Sequence, residues 1–166
     1  MKPNLHFIGR NTELAKLAKI GKQKEASIIV IYGRRRIGKT ELIEQYFKKK
    51  KVLKFEGIQP DHLRPRSKNE ERLFQLQQCL HRLSRYVENP LLEKLTLSTW
   101  SEFFELLVPI LAKGELVLYF EEVQWLSNYQ SEFLAAMKPF WDDYFRHNPK
   151  LKVVLCGSAS SSTALR

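Results

Sequence analysis

The chain has 166 residues, 43% of them apolar, and a formal net charge of +10 at pH 7. That length fits one domain, residues 1–166, with room for a real core, and the ordinary apolar fraction excludes a disordered chain. No apolar run is long enough to cross a membrane, Met1-Lys2-Pro3-Asn4 lacks the apolar core of a signal peptide, and the two separated cysteines, Cys79 and Cys156, make no disulfide framework or metal site, so a cytoplasmic location is expected.

The first segment, Phe7-Ile8-Gly9-Arg10, leads into a short amphipathic helix with Asn11 or Thr12 as N-cap and Gly21 as stop. Ile28 to Tyr32 is a near-continuous apolar, β-branched run, which predicts a strand buried on both faces. Leu42, Ile43, Tyr46 and Phe47 then recur at helical spacing, so a helix is expected to about Lys50. Val52 to Phe55 reads as a second strand, and Gly57 to Lys68, with Pro60 and Pro65, as a loop long enough to be mobile or functional.

Two capping boxes follow. Ser67-x-x-Glu70 opens a helix carrying Leu73, Leu76, Leu80, Leu83 and Val87; Thr99-x-x-Glu102 opens one carrying Trp100, Phe103, Phe104 and Leu107. Pro109 is expected to kink the second or tighten its last turn. Leu116 to Phe120 is a third strand ending in Glu121-Glu122. Phe133 to Phe145 reads as a helix bent near Pro139, and Leu151 to Cys156 as a fourth strand ending at Gly157-Ser158. Strands alternating with helices predict an α/β fold, a parallel sheet with helices on both faces in three layers. Ligands of such sheets sit at the carboxyl ends of the strands. Three polar features fall there: residues 33–40, Glu121-Glu122 and Ser158.

Gly33, Arg34, Arg35, Arg36, Ile37, Gly38, Lys39 and Thr40 match G-x-x-x-x-G-K-[ST] between a strand and a helix, the phosphate-binding loop. Gly33 and Gly38 allow a tight turn and a close backbone approach to phosphates. Amides from about Arg35 to Thr40 then face one anion-sized hollow, Lys39 reaches the β- and γ-phosphates, and the Thr40 hydroxyl ligates Mg²⁺. The charge supports a polyanionic ligand. Residues 1–54 hold 15 Lys/Arg against 4 Asp/Glu, so the whole excess lies around this loop and its helix. Lys48 to Lys51 are read as charges favoured at a helix C-terminus.

A strand ending in two carboxylates, beside such a loop, completes a nucleotide site. Glu121 would hold Mg²⁺, through water, and Glu122 would orient and deprotonate the attacking water.

Phe7-Ile8-Gly9-Arg10, the Gly-Arg-Arg-Arg-Ile-Gly-Lys-Thr loop, Tyr119-Phe-Glu-Glu-Val-Gln-Trp125 and Leu155-Cys-Gly-Ser158 together resemble the prokaryotic AAA-like, STAND-related ATPases with phosphate-loop NTPase domains. The resemblance covers nearly the whole chain. It implies ATP and Mg²⁺ as cofactors, a Gly9-Arg10 segment near the adenine, and Ser158 at a sensor strand end near the γ-phosphate. Members continue into a fifth strand and a helical lid. The chain is therefore expected to be a truncated or fragment form lacking both, with the edge of the first strand open for self-association.

Glu121 departs from the family's Asp. Its extra methylene moves the carboxylate by about a bond length, and Mg²⁺ tolerates little misplacement. Slow hydrolysis by the isolated chain is expected, with an Asp at 121 preserving or raising the rate. The leading reading is an ATP-hydrolysing regulatory domain. The alternative is a nucleotide-dependent binding module without turnover, associated with nucleic acid through its basic charge. A small-molecule kinase would need an acceptor site that the residues do not supply, and a basic DNA-binding protein would need a helix-turn-helix that they do not show.

Overall fold

The computed structural model describes residues 11–127 and 132–159. Four strands, β1 (Ser27–Arg34), β2 (Lys51–Glu56), β3 (Leu116–Glu121) and β4 (Leu151–Ala159), form one parallel sheet in the order β1-β4-β3-β2. Helix α1 (Asn11–Gly21) precedes β1, and α2 (Lys39–Tyr46), α3 (Lys68–Tyr86), α4 (Trp100–Leu111), α5 (Val123–Leu126) and α6 (Glu132–Asp143) lie between the strands in sequence. This is the expected α/β architecture.

Strand alternation divides the core in two. Leu53, Phe55, Leu118, Phe120, Val153 and Leu155 face α3, α4 and α6, while Val117, Tyr119, Val154 and Cys156 face α1 and α2. The first half is dominated by aromatic rings. Phe104 is fully buried and its ring lies 5.4 Å from Phe133 and 6.2 Å from Phe120, centroid to centroid. Phe104→Ala is expected to lower the unfolding free energy by about 3–5 kcal/mol, the usual cost of a large aromatic cavity. Urea unfolding would check it; a change of only about 0.5 kcal/mol, typical of a surface site, would mean that the ring layer is not packed as described.

Both capping boxes form. Ser67 Oγ accepts from Glu70 N at 3.2 Å and Glu70 Oε2 from Ser67 N at 2.7 Å; Thr99 Oγ1 accepts from Glu102 N at 3.3 Å, and the Glu102 carboxylate accepts from Thr99 N. Pro109 falls in the last turn of α4, and α6 runs through Pro139. Helix α1 already includes Asn11 and Thr12, so neither is its N-cap. Helix α2 ends at Tyr46, short of Lys50. Phe47 closes it by donating its N–H to Ile43 O at 2.9 Å, and the chain turns through the lysines into β2. Those lysines therefore sit at the opposite end of α2 from the phosphate loop, and the basic excess is divided between two places. The segment after β2 is fastened at its start: Gln75 on α3 accepts from Ile58 N at 3.0 Å and donates to Ile58 O at 2.7 Å.

The expected burial of the first strand is corrected as well. Of the predicted strand at Ile28 to Tyr32 only Ile29 is buried, whereas Val30 is 68% exposed and Ile28 and Tyr32 are also exposed. The sheet order explains it. Among the described residues β1 is an edge strand paired with β4 alone, and α1 and α2 cover one of its faces. The other face has no helix over it among the described residues. An apolar run of this kind gives the same periodicity whether both faces are covered or one. Among the described residues no helix is long and apolar enough to cross a membrane.

Candidate active site at the carboxyl ends of the strands

The strand order brings the three polar features together. β4 lies between β1 and β3, and Ser158 pairs in register with Gly33. The loop after β1, the acidic end of β3 and Ser158 thus meet at one end of the sheet. A cavity of about 460 Å³ opens there, lined among others by Arg35, Arg36, Gly38, Lys39, Thr40 and Glu41 on the loop side and by Glu121, Glu122 and Ser158 on the strand side. That volume lies within the range of small-molecule sites.

The loop turns through two residues of positive φ, Arg36 at 61° and Gly38 at 80°. Gly38 is the residue just before α2 and occupies the left-handed region that glycine enters without strain. Gly33, by contrast, is still part of β1. Its lack of a side chain serves close approach, since a Cβ there would lie 2.9 Å from Ile37 Cδ1. Lys39 is buried at the start of α2 and folds back over the loop, donating from Nζ to Gly33 O at 3.1 Å and Arg34 O at 2.6 Å.

Two carboxylates face the loop, in different settings. Glu121 is buried in a cage of three donors. Thr40 Oγ1 donates to Oε1, Tyr119 OH donates to Oε2 at 2.7 Å, and Lys54 Nζ approaches Oε2 at 2.9 Å. Burial pushes the Glu121 carboxyl up, but hydrogen bonds from Thr40, Tyr119 and Lys54 and the Lys54 charge outweigh it and hold the group below the usual carboxylate range. Burial also disfavours the Lys54 charge, and the Glu121 and Glu44 carboxylates more than compensate. The Tyr119 phenol is driven far up by burial and by the Glu121 charge, so it remains a donor. Cys156 nearby is pushed up to about 12 by burial and by Glu121, and stays a thiol.

Glu122 belongs to a second network. Its φ of 52° is in the left-handed region, unusual for a residue with a side chain. Gln124 Nε2 donates to Glu122 Oε2, Ser158 Oγ donates to Oε1 at 3.1 Å, and Ser158 N donates to Gln124 Oε1 at 3.1 Å, closing a ring of three residues. The turn that holds Glu122 depends on Gly57 at the end of β2, where a Cβ would lie 2.4 Å from Glu122 O and 2.9 Å from Trp125 Cβ.

A family model described as an ATPase domain predominantly from Archaea matches residues 7–166. The chain belongs to this family of ATPase domains. An uncharacterised ATP-binding protein of Methanocaldococcus jannaschii is 41% identical over 46 residues, which is 28% of this chain and 78% of that protein. Two solved structures share the fold. The Walker-type ATPase PABY2304 of Pyrococcus abyssi matches with TM-score 0.55 and 22% identity over 95% of this chain and 48% of its own length. The Aeropyrum pernix ORC2 protein, solved as ADPNP-ADP complexes, matches with TM-score 0.56 and 16% identity over 95% of this chain and 43% of its own. The ATPase domain described here therefore spans about half the length of those two structures.

Of the residues expected at the site of this ATPase domain, Arg35, Arg36, Gly38, Lys39, Thr40, Glu121, Glu122 and Ser158 line the cavity. Gly33 and Arg34 contribute carbonyls to Lys39 rather than lining it. Ile37 packs toward Gly33. Gly9 and Arg10 lie outside the described residues. Arg35 is partly diverted, its guanidinium lying 5.5 Å from the centroid of the Trp125 ring. Among the described residues no three His, Cys, Asp or Glu side chains cluster to hold a metal unaided. The Thr40–Glu121 pair fits Mg²⁺ in the manner of phosphate-loop sites, where substrate phosphates and water complete the coordination.

Lys54, Tyr119 and Gln124 are site residues that the motif reading missed in these roles. Only a charged residue interrupting the apolar Val52 to Phe55 hinted at Lys54.

Proposed function

We propose that this ATPase domain binds ATP with Mg²⁺ in the cavity above the strand ends and hydrolyses it slowly, as a nucleotide-dependent regulatory switch. One observation carries the reading: the phosphate loop, the Thr40–Glu121 pair and the Glu122–Gln124–Ser158 ring surround a single cavity. Loop amides and Lys39 take the phosphates. Thr40 and Glu121 hold Mg²⁺, which when bound supplies positive charge to the phosphate oxygens. Glu122 is the general base for water.

The switch reading is supported by the ring. Both Glu122 oxygens are engaged, one of them by Ser158 at the end of β4, so a phosphate that draws Ser158 or Gln124 away also changes how Glu122 is held. Among the described residues one face and the outer edge of β1 are uncovered, which supports self-association.

The test is calorimetric titration of ATP with and without Mg²⁺, phosphate release under saturation, and molar mass by light scattering. Binding that tightens with Mg²⁺, slow release and a mass above one chain are expected. No ATP binding under either condition would overturn the nucleotide reading, fast release the slow-turnover reading, and a single-chain mass throughout the self-association.

A further inference from the structure

Glu121 has one rotatable bond more than an Asp, so its carboxylate must be fixed by neighbours if it is to stand at a metal position. The described structure supplies them from other elements. Lys54 pairs in register with Tyr119 on the adjacent strand, and both reach Glu121 Oε2, at 2.9 Å and 2.7 Å. The other oxygen, Oε1, is left to Thr40. Lys54 is itself held on two sides, by Glu44 of α2 with Nζ to Oε1 at 3.3 Å and by the Tyr119 ring with Nζ 5.3 Å from its centroid. Glu44 follows Thr40 by four residues, one turn along α2, and so lies on the same helix face.

We propose that Lys54 is a positioning residue for the metal side of the site: together with Tyr119 it anchors Glu121 Oε2 so that Oε1 faces Thr40 and Mg²⁺. The inference rests on the nucleotide reading above. Lys54 does not stand where the metal would, because it contacts the oxygen turned away from Thr40. Nor does its charge cancel that of the site, because Glu44 offsets it. The cage also makes Glu, not Asp, the matching residue. A shorter side chain at 121 could not keep Thr40 on one oxygen and both Tyr119 and Lys54 on the other. Glu121→Asp is therefore placed in the opposite direction from the sequence-based expectation.

The experiment is calorimetric titration of ATP at a series of Mg²⁺ concentrations and in excess EDTA, on the parent, Lys54→Met, Lys54→Arg, Glu121→Asp and the double variant Lys54→Met/Glu121→Asp, with thermal unfolding of each. Lys54→Met is expected to raise the half-saturating Mg²⁺ concentration about tenfold or more, the usual effect of losing an outer-shell partner. Its ATP affinity in EDTA should stay within about twofold of the parent, the size of a sub-kcal/mol change. Lys54→Arg keeps the charge and donors and should recover most of the loss. Glu121→Asp should act like Lys54→Met, and the double variant should be little worse than either, as expected of residues acting as one unit.

Unchanged Mg²⁺ dependence in a folded Lys54→Met overturns the proposal and leaves the nucleotide site intact. A fall in half-saturating Mg²⁺ also overturns it, by making Lys54 a competitor of the metal. Equal weakening with and without Mg²⁺ overturns it in favour of a purely structural lysine. A parent that binds no ATP removes the nucleotide reading itself.

Discussion

Lys39→Ala is expected to weaken ATP binding by roughly 100-fold or more while the domain stays folded. The magnitude follows from losing hydrogen bonds between an ammonium and phosphate oxygens, each contributing about 1.5–3 kcal/mol. In the described structure Lys39 is buried and its three donors are partly used on the carbonyls of Gly33 and Arg34. Lys39 itself lines the cavity, so water can take the place of its ammonium when it is removed, and the core halves on either side of the sheet are untouched. The measurement is an ATP titration beside a urea unfolding curve. Parent-like affinity in a folded variant would rule out the phosphate-loop reading, whatever else the cavity does.

Glu122→Gln should keep ATP and lose turnover, by roughly 10²- to 10⁴-fold, the contribution of a positioned general base. The change is nearly isosteric, and the ring around it can persist. The amide oxygen still accepts from one neighbour, and the Ser158 hydroxyl can rotate to accept where it donated before. The left-handed backbone at 122 is no worse for Gln than for Glu. Single-turnover phosphate release measures the effect directly. A variant that folds, binds ATP and releases phosphate as fast as the parent would move the water-activating role to another residue.

These two expectations were open to a reader of the sequence alone, and the reason is that both rest on local patterns. A phosphate loop is a contiguous run whose glycine and lysine spacing encodes its own turn. Both capping boxes formed as written because their partners are three residues apart. The four strands and the major helices announced themselves by periodicity within windows of a dozen residues or so. Even the meeting of Ser158 with the loop and the acidic pair followed from a general property of parallel sheets, that all strand ends point one way.

What escaped the reading involves neighbours distant in sequence. Ile28 to Tyr32 looked buried on both faces, yet among the described residues the order β1-β4-β3-β2 puts it at an edge with one face bare. Glu121 looked like a slightly long substitute for Asp. The pairing of β2 with β3 sets Lys54 beside Tyr119 and turns that length into a fit. Gln124 stood out only as part of a motif, and the arrival of Ser158 from β4, 34 residues further along, gives it a function in holding Glu122. Backbone spacing within one element is written in the chain; which side chains meet across elements depends on strand order and register, and these emerge only when the sheet is assembled.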